Sequence, residues 1–174
     1  MTLWVWFNNL QMAVFSIRTL ADPVLREKAK RVTNIDSSVQ RLIDDMIDSM
    51  RAASGLGLAA PQIGVSLRIA VIEMPDEEAI TLINPEIIKR QGERLVGEAC
   101  LSVPGYHGEV KRSVEVKIKA QDRRGKSIRL KADDLLAQAL EHEIDHLNGI
   151  LYIDHITDHD KLQAIVPDED RMGL

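Results

Sequence analysis

The chain has almost no cysteine: Cys100 is the only one in 174 residues. A single thiol cannot close an internal disulfide, so this is not a disulfide-stapled secreted scaffold. Aromatic residues are scarce too, at 3%, and Trp4, Trp6 and Phe7 crowd into the opening stretch. Positive charge is in deficit. A net charge of −5 and a pI near 5.5 argue against a broad basic face that grips DNA or RNA. No run of about 18 uninterrupted apolar residues occurs, so the sequence offers no membrane-spanning helix. No Lys or Arg precedes Arg18, so the start lacks the basic opening of a signal peptide and the arginines of a transit peptide. Repeats, low-complexity tracts and Pro- or Ser-rich linkers are missing as well, and nothing divides the chain. The remainder, 45% hydrophobic and 28% charged, is the make-up of one globular domain.

Residues 1–11 read as an apolar extension, dispensable for chemistry, that docks on an apolar groove or another chain. Residues 12–158 read as the domain, and the polar residues 159–174 as a tail. Asp22–Pro23 looks like an N-cap followed by a proline at the first helical position. Val39, Leu42, Ile43, Met46, Ile47 and Met50 recur at helical spacing and predict one buried stripe, with Arg41, Asp44, Asp45 and Asp48 turned outward and Gly55 as the stop. Arg68–Met74, Ile80–Asn84 and Glu86–Lys89 read as short strands, the last two on either side of Pro85. Val114, Val116, Ile118 and Ala120 alternate with charged residues, as in a half-buried antiparallel strand. A turn at Asp122–Gly125 then returns the chain through residues 126–132. The last helix starts at Asp133 or Asp134, buries Leu136, Leu140, Ile144 and Leu147, and stops at Asn148–Gly149. Strands grouped between helices predict an α+β fold: antiparallel β-sheets packed around a C-terminal metal-binding helix, with an N-terminal helical segment.

That last helix carries His142-Glu143-Ile144-Asp145-His146. Residues four apart share a helix face, so both imidazoles can reach one metal ion. Glu143 stands one step round, placed to accept a proton from water on that ion. A catalytic site needs a third protein ligand and an open position. The extended pattern with a third histidine fails, because Tyr152 holds that place. Cys100 is the attractive candidate, His155 and His159 follow without a helical register, and an acidic residue such as Glu169 would suit an internal peptidase. A fourth protein ligand would instead make the site structural. Residues 55–62, GLGLAAPQ, form a glycine-rich loop after a helix, where backbone can approach a ligand and Gln62 offers an amide.

Taken together, GLGLAAPQ, EACLS (98–102) and EHEIDH (141–146) resemble the three motifs of the peptide deformylase family, in the same order. DPVLR, INPEI, LSVPG and HLNGILYID extend the resemblance over most of Met12 to Asp158. Ala99 stands where the family has glycine, and Glu141 where it has glutamine. A left-handed backbone at Ala99 would cost about 1 kcal/mol, and Glu141 is expected to point to solvent. The resemblance implies metal ligation by Cys100, His142 and His146, proton transfer by Glu143, and oxyanion stabilisation by the Gln62 amide and the Leu101 N–H. It implies substrate pairing along Leu56 and Gly57. It implies iron(II) as the native ion, with zinc, nickel or cobalt as substitutes. The substrate would be a nascent formyl-methionyl polypeptide, met near the ribosome in the bacterial cytoplasm, with no direct DNA binding. Glu98 and Arg112 are candidates for an ion pair that orients a ligand.

Overall fold

Helix α1 (Ser37–Ala52) starts at Asp36, whose carboxylate accepts from the backbone N–H groups of Ser38 and Val39. Two of the donors left open at a helix start are thereby satisfied. Of the predicted stripe, Val39, Ile43, Met46 and Met50 are buried and Leu42 and Ile47 partly so, all packed with Leu58, Ile69, Val71 and Ile83. Ser54, rather than Gly55, takes the left-handed backbone after the helix, at φ 54°. The computed structural model from which this is read describes residues 13–157 and 161–165. The reading of residues 1–11, together with His159 and Glu169, falls outside them.

The Asp22–Pro23 start produces one 3-10 turn, Pro23–Arg26, not a longer helix. Asp22 accepts from Val24 N at 3.0 Å. The chain then goes elsewhere for its hydrogen bonds: Ala29 N donates to Leu147 O and Lys30 N to Ser66 O, both at 3.0 Å.

Strands follow at β1 (Gly57–Ala59), β2 (Ile69–Ile72), β3 (Ile80–Gln91), β4 (Arg94–Cys100), β5 (Val103–Arg112), β6 (Glu115–Gln121), β7 (Ser127–Asp133) and β8 (Leu162–Ala164). They form two antiparallel sheets among the described residues, one in the order β1-β2-β3-β6-β7 and one in the order β4-β5-β8. The two strand candidates around Pro85 are one strand, with a register shift between Ile83 and Glu86. Asn84 sits in that shift at φ 53°. Its amide bonds Val32 N and Val32 O, while the Pro85 carbonyl accepts from Arg68 Nη2. Val114 lies before β6 and is exposed, so the buried face begins at Val116. β8 pairs with Tyr106–Gly108 of β5, which builds part of residues 159–174 into the second sheet.

Helix α2 (Asp134–Leu147) leaves β7 directly, with Asp133 as its N-cap. Ala137, Leu140 and Ile144 pack on Ile72, Leu82, Val116, Ile118 and Ala120, while Leu136 is only partly buried. Gly149 ends the helix at φ 75°, where a Cβ would lie 2.6 Å from the Arg26 carbonyl oxygen. The other side of α2 faces β4 and β5, where Gln138 Nε2 donates to Gly97 O at 3.0 Å. No helix among the described residues is long and apolar enough to cross a membrane.

Candidate metal centre

His142 and His146 stand one turn apart on α2, their ring centroids 4.9 Å apart and edge-on. Cys100 reaches them from the end of β4, with Sγ 3.2 Å from His146 Nε2. One ligand atom from each of the three residues lies within 4.8 Å of the others. Beyond Cys100 the chain turns tightly, so that Ser102 N donates to Sγ at 3.4 Å. Nothing in sequence spacing brings these segments together. The β4–β5 hairpin does so by lying across α2.

The hairpin also supplies the groups that orient His142. Glu98 Oε2 lies 2.9 Å from His142 Nδ1. Arg112 forks onto Glu98 at 2.7 and 3.0 Å and reaches Asp145 Oδ2 at 2.6 Å with its other terminal nitrogen. Burial favours a neutral Glu98, but the hydrogen bonds from His142 and Arg112 outweigh it and hold the carboxyl at about 2. An ionised carboxylate only accepts, so His142 donates to it through Nδ1, and Nε2 is the ring nitrogen left for an ion. Burial also disfavours a His142 cation, yet the Cys100 sulfur and Glu98 carboxylate prevail and hold His142 well above the ordinary imidazole range. Burial and the His142 charge hold His146 well below that range. The pocket offers one sulfur and two imidazoles. That donor set fits a divalent cation of the zinc or iron type.

Glu143 is buried behind this cluster. Its Oε2 has no hydrogen-bond partner among the described residues. Burial, opposed by His142 and reinforced by Glu98 and Asp145, pushes its carboxyl up to about 7. Gly57 makes room for it, since a Cβ there would sit 2.8 Å from Glu143 Cδ. Both open on a cleft of about 550 Å³, lined also by Leu56, Gln62, Cys100, Leu101, Leu135, Ala139 and His142. Gln62 is fixed by Ala59 N, which donates to Oε1 at 2.8 Å, leaving Nε2 near Ser102 Oγ at 3.2 Å and Cys100 Sγ at 3.7 Å. Leu101 occupies the turn between β4 and β5, and Leu56 is half-exposed at the rim. The eight residues to which the resemblance assigns roles thus meet at one cleft or its floor.

The family model for polypeptide deformylase matches residues 14–162. The chain belongs to the peptide deformylase family. A peptide deformylase of Dehalococcoides mccartyi is 56% identical over 160 residues, 91% of this chain and 96% of its own length. The crystal structure of a peptide deformylase from Legionella pneumophila has a TM-score of 0.83 at 47% identity, covering 86% of this chain and 89% of that one. A class I type b peptide deformylase from Acinetobacter baumannii, with Met-Ala-Ser bound, has a TM-score of 0.80 at 29% identity, covering 83% and 99%. Like the family, this chain is a hydrolase that removes the N-formyl group from nascent peptides, in a metal-dependent reaction.

Of the two departures from the deformylase pattern, only Glu141 behaves differently from expectation. Ala99 lies in β4 opposite His107, just before the register shifts at Cys100, and is not among the residues with positive φ, so it carries no left-handed backbone strain. Glu141 does not point to solvent. It is 4% exposed and accepts from Ser113 N at 2.7 Å, Ser113 Oγ at 3.1 Å and Arg90 Nε at 2.8 Å. The β5–β6 connection folds over this helix face, and its backbone N–H needs an acceptor. Sequence reasoning also passed over Asp145, whose carboxylate meets Arg112 and, at 2.8 Å, His155 Nε2. The only hint was its place between the two histidines.

Proposed function

We propose that Cys100, His142 and His146 hold one divalent cation and that Glu143 moves the proton as this deformylase hydrolyses the formamide of an N-formyl-methionyl peptide. The observation that carries the reading is the convergence of three ligand atoms within 4.8 Å, beside a buried carboxyl with a free oxygen. Bound there, a divalent cation would supply Lewis acidity and a nucleophile from water near neutral pH. Glu143 accepts the proton that water gives up as it attacks the formyl carbon. The Gln62 Nε2 and the Leu101 backbone N–H donate to the oxygen on which charge develops. Glu143 then passes the proton to the departing amine as the C–N bond breaks, and formate and the free N-terminus leave. A base near neutrality serves both directions of transfer.

β1 is an edge strand, and Leu56 and Gly57 offer backbone groups to a peptide laid alongside as an added strand. The methionine side chain enters the apolar part of the cleft beside Leu135 and Ala139 of α2. The methionyl tripeptide bound by the Acinetobacter relative supports a peptide of this kind. The native ion in this reading is iron(II), with zinc, nickel or cobalt accepted because a thiolate tolerates several metals. Formylated starts and bacterial relatives support action near the ribosome in a bacterial cytoplasm.

The test is formate release from formyl-Met-Ala by anaerobically purified protein, with metal analysis of the same sample. Cys100→Ala should lose most of the metal and the activity. Glu143→Gln should keep the metal and lose about 10²–10⁴ in rate. Full metal retention in the first variant, or normal turnover in the second, overturns the assignment.

A further inference from the structure

His155 belongs to no motif in the sequence, yet it ends a continuous chain of polar contacts that begins at His142. From His142 Nδ1 the chain runs to Glu98 Oε2 at 2.9 Å, and from Glu98 to Arg112 at 2.7 and 3.0 Å. From Arg112 Nη1 it runs to Asp145 Oδ2 at 2.6 Å, and from the same Oδ2 to His155 Nε2 at 2.8 Å. The side chains of Glu98 and Arg112 are 3% exposed and that of Asp145 10%, whereas His155 is 35% exposed. The β4–β5 hairpin, α2 and the turn that follows α2 are thereby tied together, with the surface at one end and the metal cluster at the other.

Two buried carboxylates share one guanidinium. An ion pair left short of partners in such a place is strongly unfavourable. His155 supplies the missing donor to Asp145. Without it, Asp145 would compete harder for Arg112, whose fork fixes the Glu98 carboxylate on which His142 is aligned. Orienting partners of metal-bound histidines act in this way, and their loss typically costs about 10–100-fold in metal affinity or activity.

We propose that His155 is a positioning residue for the metal centre, acting on His142 through Asp145, Arg112 and Glu98. The inference rests on His142 being a metal ligand, as proposed above. Among the described residues His155 hydrogen-bonds Asp145 and none of the three cluster residues, so its influence passes along the chain of contacts. An effect below that of a direct partner is expected, about three- to tenfold.

The experiment uses the full chain loaded with zinc and compares His155→Leu, which removes the donor, with His155→Gln, whose amide nitrogen can replace the ring Nε2. The rate of zinc loss to EDTA is measured alongside kcat, KM and Tm. His155→Leu should release zinc about three- to tenfold faster and lower kcat with KM unchanged, and His155→Gln should restore both. Unchanged zinc release and kcat in His155→Leu would overturn the proposal. So would a loss shared equally by His155→Gln and matched by a lowered Tm, which would mark a purely structural role. Cys100→Ala is run in parallel. If that variant keeps its zinc, the ligand assignment itself has failed. If it loses zinc while His155→Leu does not, only the role of His155 has failed.

Discussion

Among single residues, Gly57 has little freedom to change. Its missing side chain is the space that the Glu143 carboxyl fills. Gly57→Ala should push that carboxyl aside while the ligands stay in place. Metal content should hold and turnover should fall about 10²-fold, the scale of a misplacement near 1 Å. Near-normal formate release would mean that the carboxyl has room to move. The H-E-x-x-H spacing made His142, Glu143 and His146 legible in the sequence, because helix geometry alone puts them together. Cys100 was only a candidate until three motifs were taken jointly. The roles of Asp145, Glu141 and His155 were not legible. Arg112 and Arg90 come from strands and Ser113 from the β5–β6 connection, and no local pattern links these to the helix.

At the level of elements, α1 and the β6–β7 hairpin could be read because each has one wet face and one dry face. The β4–β5 hairpin hid for the opposite reason. Its inward positions on β4 include Glu98 and Cys100, and its outward positions include Gly97 and Ala99, so apolar alternation is lost where the site is built. The join between that hairpin and β6 is held on α2 through Glu141. Glu141→Ala leaves the Ser113 N–H and hydroxyl without that acceptor and should cost about 1–3 kcal/mol. Glu141→Gln, which restores the residue of the family pattern, keeps an acceptor and should be close to neutral. Denaturant melts of the two variants check this, with metal content expected to stay unchanged in both. Equal losses in both variants would show that the negative charge matters more than the hydrogen bonds.

For the whole molecule, acid is the condition most directed at its buried charges. Glu98 is held at about 2, against an ordinary value of 4.5, by His142 and Arg112 in spite of burial. Asp145 is also lowered, with burial outweighed by His155 and Arg112. Carboxyls lowered by folding contribute stability that is complete above their unfolded values and is lost as pH falls through the folded ones. Tm of chelator-stripped protein should therefore fall steeply between about pH 4.5 and 2. A flat profile through that window would remove these groups from the stability of the fold.

The position of Cys100 has one more consequence. Its strand belongs to the three-stranded sheet, while both histidines ride on the helix packed against the five-stranded one. A ligand that binds across such a seam stabilises the closed arrangement by mass action. Amide exchange should report this unevenly. On chelation, protons of β4 and β5 should exchange faster, while those of β6 and β7 keep their protection. The Arg112 contacts still span the seam, so the hairpin should breathe rather than detach. Availability of the metal would then set how long a newly made copy of this enzyme keeps its two layers closed against proteases.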